Sequence, residues 1–151
     1  MVLAVSSEIL GRASLVQLMV FDVDGILTDG SLYFGAEGEM IKRFNVLDGY
    51  GIKLLQQHGI ATAIISARSS AIVLRRASDL GIEHIVQGVH DKRQAFEQLC
   101  IKTGLNKKAC GFIGDDWLDL PILTQVGFAA SVPHGHAEVR AAPHPPLAWV
   151  T

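Results

Sequence analysis

The chain has 151 residues, of which 49% are hydrophobic and 19% are charged, and its formal net charge is −2. This length predicts one domain, 1–151, with enough apolar material for a buried core. The small net charge argues against a surface for nucleic acid or anionic lipid, and no run approaches the ~20 apolar residues of a membrane span. We recognise no secretory leader, and we expect a cytoplasmic protein whose two cysteines, Cys100 and Cys110, are buried thiols.

Strand-like and helix-like segments alternate along the chain. Three continuous apolar runs are typical of parallel strands buried on both faces: 18–23, 61–66 and 110–115. Shorter strands are predicted at 84–88, 127–131 and 147–151. Helical spacing is found at 48–59, 69–81, 91–104, 115–127 and 136–142, and Pro121 is expected to shorten or kink the fourth of these helices. The order predicts an α/β fold, a doubly wound, Rossmann-like parallel sheet with helices on both faces.

One segment, 30–45, interrupts the alternation and is typical of two short strands around the turn "GAEGE". Apolar side chains occupy both faces of this β-hairpin: Leu32, Tyr33, Phe34, Met40, Ile41 and Phe44. A lone hairpin cannot bury two faces, and its exposed edges invite pairing. The hairpin is therefore predicted to protrude and to dock against other subunits. A hairpin folded flat on its own domain is the alternative.

Polar side chains stand at the predicted carboxyl ends of the strands. Asp22 and Asp24 follow the first strand, Ser66 the second and Asp115 the third, and Lys92 begins a predicted helix. Parallel strands bring these ends to one edge, where such sheets bind their ligands. Crowded carboxylates require a compensating cation, and Mg²⁺ prefers oxygen ligands of this kind. Beside a lysine and loop N–H groups, the ion would complete a phosphate-binding site.

Two of these carboxylates can take the two roles that phosphoryl transfer needs, a nucleophile and an acid–base residue. Asp22 lies close enough to metal and phosphorus to act as a nucleophile and form an aspartyl-phosphate. Asp24 can protonate the leaving oxygen and later deprotonate the attacking water. A lone D-x-D is more often a solvated turn, so it is the joint occurrence of these groups at strand ends that indicates a phosphatase.

Four segments resemble the motifs of the haloacid dehalogenase-like (HAD) phosphohydrolase superfamily: "DVDGILTDG", "IISAR", Lys92 and "GDDWLDLP". The resemblance implies a phosphatase without a cap domain. Its implied catalytic residues are Asp22, Asp24, Ser66 and Lys92. Its implied Mg²⁺ ligands are Asp22, the backbone carbonyl of Asp24, and Asp115, supported by Asp116 and Asp119.

A closer resemblance covers about residues 15–140 and is carried by the hairpin followed by "FNVLDGYGIKLL", "ISARSS" and "LGIEHIVQGVHDK". This order is similar to the 3-deoxy-D-manno-octulosonate 8-phosphate phosphatases, a capless branch that is tetrameric through its hairpins. It implies Mg²⁺-dependent release of phosphate from that sugar acid in lipopolysaccharide biosynthesis, by a homotetramer assembled through the 30–45 hairpin. The implied substrate contacts are Asp24, Asn45, Val46, Leu47, Asp48, Gly49, Lys53, Arg68, Arg76 and Lys92.

The chain departs from the family pattern in three places. Ser66 replaces the usual threonine of the second motif but preserves the hydroxyl, and Leu47 stands where a basic residue is common. The given sequence stops at "LAWVT", where the family continues into a Gly-rich tail, so we expect either that the tail was lost or removed or that the site is more open. Four histidines are interpreted as surface or helix-capping side chains and not as a zinc site: His90, His134, His136 and His144.

Two alternatives remain open. The substrate could be the phosphate of a nine-carbon keto-sugar acid, because hydroxyl-binding residues do not separate the two sugars. The chain could also be a phosphatase-like signalling or oligomerisation module with little turnover. The presence of Asp22, Asp24 and Lys92 favours turnover over such a module.

Overall fold

The fold is seen in a computed structural model that describes residues 6–142 and 148–149. The helices are α1 (Ser7–Ala13), α2 (Val46–Gln57), α3 (Ala71–Leu80), α4 (Lys92–Thr103), α5 (Leu120–Leu123) and α6 (Ala137–Ala141). The strands are β1 (Leu18–Phe21), β2 (Tyr33–Gly35), β3 (Gly38–Ile41), β4 (Ala61–Ile65), β5 (His84–Val86), β6 (Cys110–Ile113), β7 (Phe128–Ser131) and β8 (Ala148–Trp149). None of the helices in these ranges has the length and the apolar composition of a membrane span.

Six strands form one parallel sheet in the order β5-β4-β1-β6-β7-β8. From β1 the chain moves outward through β4 and β5, then crosses to the other side of β1 and continues through β6 and β7. The direction of winding therefore reverses between β1 and β6, where the Asp22 N–H donates to the Ile113 carbonyl at 3.0 Å. Doubly wound sheets bind ligands outside the strand ends at such a point.

Helices cover both faces of the sheet, as predicted. On the face of α4 and α5, Leu18, Phe96 and Phe112 are fully buried. On the face of α2 and α3, Ile64 and Val73 are each 2% exposed. Burial of each such large side chain stabilises the fold by roughly 1.5–3 kcal/mol. Because both faces are covered, the central strands need apolar residues at consecutive positions, which explains the continuous runs in the sequence.

Some helices begin or end at residues other than the predicted ones, because local interactions set their ends. Helix α2 begins two residues earlier than predicted, because the Asn45 side chain accepts a hydrogen bond from the Leu47 N–H at 2.9 Å and caps the helix. The helix predicted at 115–127 is a 3₁₀ turn followed by the four-residue α5, whose first turn contains Pro121. Helix α1 was not predicted, and Ser6 caps it.

The last described strand and the two cysteines lie where they were predicted. Strand β8 lies within the predicted 147–151, and the other residues of that segment lie outside the described part of the chain, as does His144. Cys100 and Cys110 are buried free thiols, as predicted. They belong to the same core cluster as Phe96, because they lie in α4 and β6.

The predicted hairpin is present as an antiparallel pair, β2 and β3, separate from the main sheet. Its exposed apolar side chains are Leu32, Tyr33, Phe34, Met40 and Ile41. Phe44, just beyond the hairpin, packs instead against the core of its own domain. The Phe34 ring lies 5.5 Å from the guanidinium of Arg68. The hairpin thus touches the loop after β4, while most of its apolar surface stays open in the single chain.

Candidate active site

The first predicted motif forms a tight loop directly after β1. Asp22 is buried, and Asp24 is half-buried at the rim of a pocket. Gly25 has a φ of +93°, and a Cβ there would lie 2.1 Å from Asp115 Oδ2. The Thr28 hydroxyl accepts a hydrogen bond from the Gly25 N–H at 3.3 Å and holds the turn. The glycine therefore permits the left-handed backbone and leaves room for a carboxylate from beyond β6.

Lys92, the first residue of α4, joins two carboxylates in the buried part of the site. Its Nζ donates hydrogen bonds to Asp22 Oδ1 and to Asp119 Oδ1, both at 2.7 Å. Lys92 is 4% exposed and Asp119 is fully buried. A buried charge is tolerated only where partners compensate its lost hydration. The lysine is therefore held by carboxylates from the loop after β1 and from the segment after β6, so that two carboxyl groups face one ammonium group.

Asp119 and Asp115 differ in how their oxygens are used. Asp119 Oδ2 accepts hydrogen bonds from the N–H groups of Asp115 and Asp116, each at 3.1 Å, and Lys92 holds its other oxygen. Asp115 Oδ1 is buried and has no hydrogen-bond partner among the described residues. One carboxylate oxygen from each of Asp22, Asp115 and Asp119 lies within 4.8 Å of the others. An unpaired buried oxygen in such a cluster fits a hard divalent cation.

The hydrogen bonds indicate which of these groups could hold the cation. Asp119 is engaged by three donors, so it fixes the lysine and the loop instead of offering a ligand. Asp115 keeps one unpaired oxygen, and the assignment of Asp22 and Asp115 as metal ligands stays a prediction. The carboxylate of Asp24 pairs with Lys42. The third predicted ligand, the backbone carbonyl of Asp24, stays a prediction.

Burial and crowding change the ionisation of these groups. Burial, reinforced by Asp119, raises the pKa of Asp22 to about 7, although Lys92 acts in the opposite direction. Burial, followed by Asp119 and Asp116, raises the pKa of Asp115 to about 6. Burial alone would lower the pKa of Lys92, but its two carboxylate partners outweigh burial and raise it. The carboxylates therefore retain protons more readily than exposed ones, and a cation can replace those protons.

These groups open into a pocket of about 440 Å³. It is lined by residues that follow the ends of five strands, β1, β4, β5, β6 and β7: Asp22, Asp24, Ser66, Ala67, Arg68, Lys92, Asp115, Asp116, Leu118, His134 and His136. Buried Ser66 accepts a hydrogen bond from the Arg68 N–H at 3.3 Å, and Arg68 Nε lies 3.8 Å from Asp24 Oδ2. The structure thus brings together the four residues predicted to be catalytic, while their roles stay predictions.

The residues predicted to bind substrate do not all lie in one pocket of the single chain. Asp24, Arg68 and Lys92 line the catalytic pocket. Neighbouring cavities beside the loop 26–29 are lined by Asn45, Val46, Asp48, Gly49 and Arg76. Leu47 is 72% exposed. Lys53 extends towards Gly81, near the amino end of β5, where a Cβ on that glycine would lie 3.3 Å from Nζ.

Three polar side chains in this region were not predicted to belong to the site. Lys42, just after β3, pairs with Asp24 Oδ1. His134 and His136, in the loop after β7, line the pocket, and His134 Nε2 lies 3.0 Å from the Gly25 carbonyl. His136 also caps α6, in agreement with the predicted capping role. One sequence signal was available for Lys42. It stands two positions before Phe44, so in an extended segment the two side chains lie on the same side, and Phe44 packs against the core.

Comparison with known proteins places this site in a family. No family model matches the chain. The 3-deoxy-D-manno-octulosonate 8-phosphate phosphatase KdsC of Yersinia pestis is 39% identical over 132 residues, which are 87% of this chain and 71% of that protein. The structure of the phosphatase of the same name from Moraxella catarrhalis, in complex with magnesium, phosphate and KDO, is 44% identical. Its TM-score is 0.90, and the match covers 97% of this chain and 82% of that one. A Legionella pneumophila protein described as a HAD-superfamily (subfamily III A) hydrolase is 40% identical with a TM-score of 0.86, covering 89% of this chain and 74% of that one.

The fold and these matches together make the chain a phosphatase of the HAD superfamily, and residues 6–142 contain no cap domain. Sequence identity of 39% and 44% over more than two thirds of both chains also identifies the family within this superfamily. The chain belongs to the KdsC family of 3-deoxy-D-manno-octulosonate 8-phosphate phosphatases. The family resemblance inferred from the sequence motifs is thereby confirmed.

Proposed function

We propose that this chain is a Mg²⁺-dependent phosphatase of 3-deoxy-D-manno-octulosonate 8-phosphate, acting in the cytoplasm as a step of lipopolysaccharide biosynthesis. The observation that carries the proposal is the buried Asp22–Lys92–Asp119 cluster beside the unpaired oxygen of Asp115. The relatives support the substrate, because KdsC of Yersinia pestis is named for it and the Moraxella catarrhalis structure holds magnesium, phosphate and KDO. Buried free thiols fit a reducing compartment.

The residues of the site suit a magnesium ion. Asp22, Asp115 and the backbone carbonyl of Asp24 would hold it, and it would supply positive charge to the phosphate oxygens and the crowded carboxylates. Lys92 adds a second positive charge, which Asp119 keeps in place. Loop N–H groups and the Ser66 hydroxyl would bind the remaining phosphate oxygens.

In the first chemical step, Asp22 would attack phosphorus. A bond forms between its carboxylate oxygen and phosphorus, and the bond between phosphorus and the sugar oxygen breaks. Asp24 donates a proton to that oxygen, so the sugar acid leaves as an alcohol. The product left on the enzyme is an aspartyl-phosphate.

In the second step, water would attack the phosphorus of the aspartyl-phosphate. Asp24, now a carboxylate, accepts a proton from the water, and the bond between phosphorus and Asp22 breaks. Inorganic phosphate leaves, and both carboxyl groups return to their starting states. Fixed positive charge around the phosphoryl oxygens would contribute most of the rate in both steps.

We also propose that four copies assemble through the 30–45 hairpins and that each site draws substrate contacts from two chains. The open apolar surface of the hairpin supports assembly. The separation of Asn45 and Arg76 from the catalytic pocket supports sharing, because a neighbouring copy could present them to that pocket. There Arg76 would pair with the carboxylate of the sugar acid.

The proposed reaction is tested by measuring phosphate release from eight-carbon and nine-carbon keto-sugar acid phosphates and from hexose phosphates, with Mg²⁺ or with a chelator. We expect the eight-carbon substrate to be preferred and the chelator to abolish turnover. Asp22→Asn should lower kcat by at least about a thousandfold, because the nucleophile is lost. The matched control is Asp79→Asn, since Asp79 is an exposed aspartate of α3 that pairs with Arg75. Undiminished turnover by Asp22→Asn would refute the nucleophile, and preference for the nine-carbon sugar would favour that alternative substrate.

Sharing of the site between chains is tested by co-expressing Asp22→Asn with Arg76→Ala. Each variant alone lacks one half of every site. In mixed tetramers, roughly a quarter of the sites would combine an intact Asp22 with an intact Arg76 from a neighbour, so activity should rise towards a quarter of the wild-type value. Activity no higher than the mean of the two separate variants would show that both residues act within one chain.

A further inference from the structure

Lys42 is a buried cation that the mechanism above does not use. Its side chain is 2% exposed and forms ion pairs with Asp24 Oδ1 and with Glu39 Oε1, the latter at 3.0 Å. An ammonium group is costly to bury unless partners replace its hydration. The two carboxylates supply that replacement. Lys42 therefore links the hairpin directly to the predicted acid–base residue.

Glu39, a residue of the hairpin, also fixes the position of Lys42. Glu39 Oε2 accepts a hydrogen bond from the hydroxyl of Ser70, which caps α3. The backbone of Ser70 exchanges hydrogen bonds with the side-chain amide of Gln87, at 3.0 and 3.2 Å. The network thus ties the end of the hairpin to the segments after β4 and β5. Lys42 cannot follow a moving Asp24 carboxylate without losing its ion pair with Glu39.

The contact with Lys42 makes the two oxygens of Asp24 unequal. An ammonium group only donates hydrogen bonds, so Asp24 Oδ1 must accept one from Lys42 Nζ. A proton on Oδ1 that pointed at the ammonium group would prevent this hydrogen bond. Oδ2 lies 3.8 Å from Nε of Arg68 in the catalytic pocket, which is beyond hydrogen-bond distance, so Oδ2 is the oxygen of Asp24 that stays available on the pocket side. The proton that Asp24 transfers therefore belongs on Oδ2.

We propose that Lys42 is a positioning residue: its ion pair with Asp24 Oδ1 orients the carboxylate so that Oδ2 faces the leaving oxygen of the substrate. This inference rests on the proposed phosphatase function. Without the lysine, the carboxylate could rotate, and proton transfer would lose the alignment on which general acid catalysis depends. The hairpin would then act on the site of its own chain, in addition to any role in assembly.

The test compares kcat/KM for two substrates that differ in their need for an acid. A sugar-acid phosphate has a poor alkoxide leaving group, whereas the phenolate of p-nitrophenyl phosphate leaves without a proton. We expect Lys42→Met to lower kcat/KM at least about tenfold for the sugar-acid phosphate and about twofold or less for p-nitrophenyl phosphate. In an Asp24→Asn background the same substitution should have no further effect, because the group through which it acts is gone.

The matched control is Lys107→Met, because Lys107 is ion-paired with Glu97 at 2.8 Å just before β6 and outside the catalytic pocket. It should leave both kcat/KM values unchanged. Lys42→Met removes a cation that two carboxylates share, so Lys42→Met/Glu39→Gln is the second variant, and thermal unfolding of each reports whether it folds.

Three results would overturn the positioning role. They are an equal loss for both substrates, a loss that adds to that of Asp24→Asn, and wild-type kinetics in a folded variant lacking Lys42. Absence of phosphatase activity in the wild-type chain with Mg²⁺ would overturn the proposed function instead, so the two failures can be told apart.

Discussion

Asp22 and Asp115 are carboxylic acids held where their ionised forms are disfavoured. Burial is the main cause in both, and it raises the pKa of Asp22 to about 7 and that of Asp115 to about 6, from an ordinary value of 3.8. Between about pH 4 and pH 7 the folded protein therefore binds more protons at these groups than the unfolded chain does. Their contribution makes the free energy of unfolding fall as pH rises through that window. A divalent cation at the same oxygens would offset the loss.

Mg²⁺ is therefore expected to raise the melting temperature more at about pH 7.5 than at about pH 5, where protons already occupy the carboxylates. Scanning calorimetry with Mg²⁺ or with a chelator at both pH values measures the difference. Asp115→Asn should lose most of the gain at the higher pH, whereas Asp79→Asn should keep it. An equal gain at both pH values would contradict the pKa directions. A full gain in Asp115→Asn would remove that residue from the cation site.

Strand β1 and the loop after it act as one element, because the ladder with β6 places the loop against Asp115. Gly25 is the point of closest approach, with a φ of +93° and no space for a Cβ beside Asp115 Oδ2. The loop can therefore turn and receive the carboxylate only while this residue is a glycine.

Gly25→Ala should destabilise the fold by roughly 1–2 kcal/mol through backbone strain and also weaken Mg²⁺ binding, because the new methyl group displaces Asp115. Gly104→Ala is the control. Gly104 ends α4 with a φ of +70°, and no described atom lies within 4 Å of its Cβ position. It should lose similar stability in denaturant unfolding but bind Mg²⁺ as the wild type does in calorimetric titration. Wild-type Mg²⁺ affinity in Gly25→Ala would show that the loop and Asp115 are not coupled.

Some strands and helices could be predicted from their own residues, and others could not. The central strands were predicted because burial on both faces demands continuous apolar runs. Helix α1 was missed because it has no buried residue, so it carries no apolar stripe from which to infer it. Helix α2 was predicted too late in the chain, because the capping bond of Asn45 overrides the periodicity of the apolar residues at its start.

Assembly belongs to the molecule as a whole, and the hairpin surface is where it can be tested. Met40 is 64% exposed in β3. If hairpins pack together, Met40→Glu would bury a charge in an apolar contact, so sedimentation velocity should show particles smaller than tetramers. Ile101→Glu, at an 81% exposed position on α4, should leave the sedimentation coefficient unchanged. Unaltered particles from Met40→Glu would favour the hairpin folded flat on its own domain.

The residues alone were sufficient for the fold class, for the family, and for placing Asp22, Asp24 and Asp115 after strands and Lys92 at the start of a helix. Apolar periodicity and short motifs are local properties of a chain. The use of each oxygen was decided by contacts between distant segments: Lys92 meets Asp22 across 70 positions, and His134 meets Gly25 across 109. The contact of Lys42 with Asp24 and the separation of Asn45 and Arg76 from the catalytic pocket also arise this way. Hydrogen bonding and burial depend on where the sheet order places each loop, and no local pattern encodes that order.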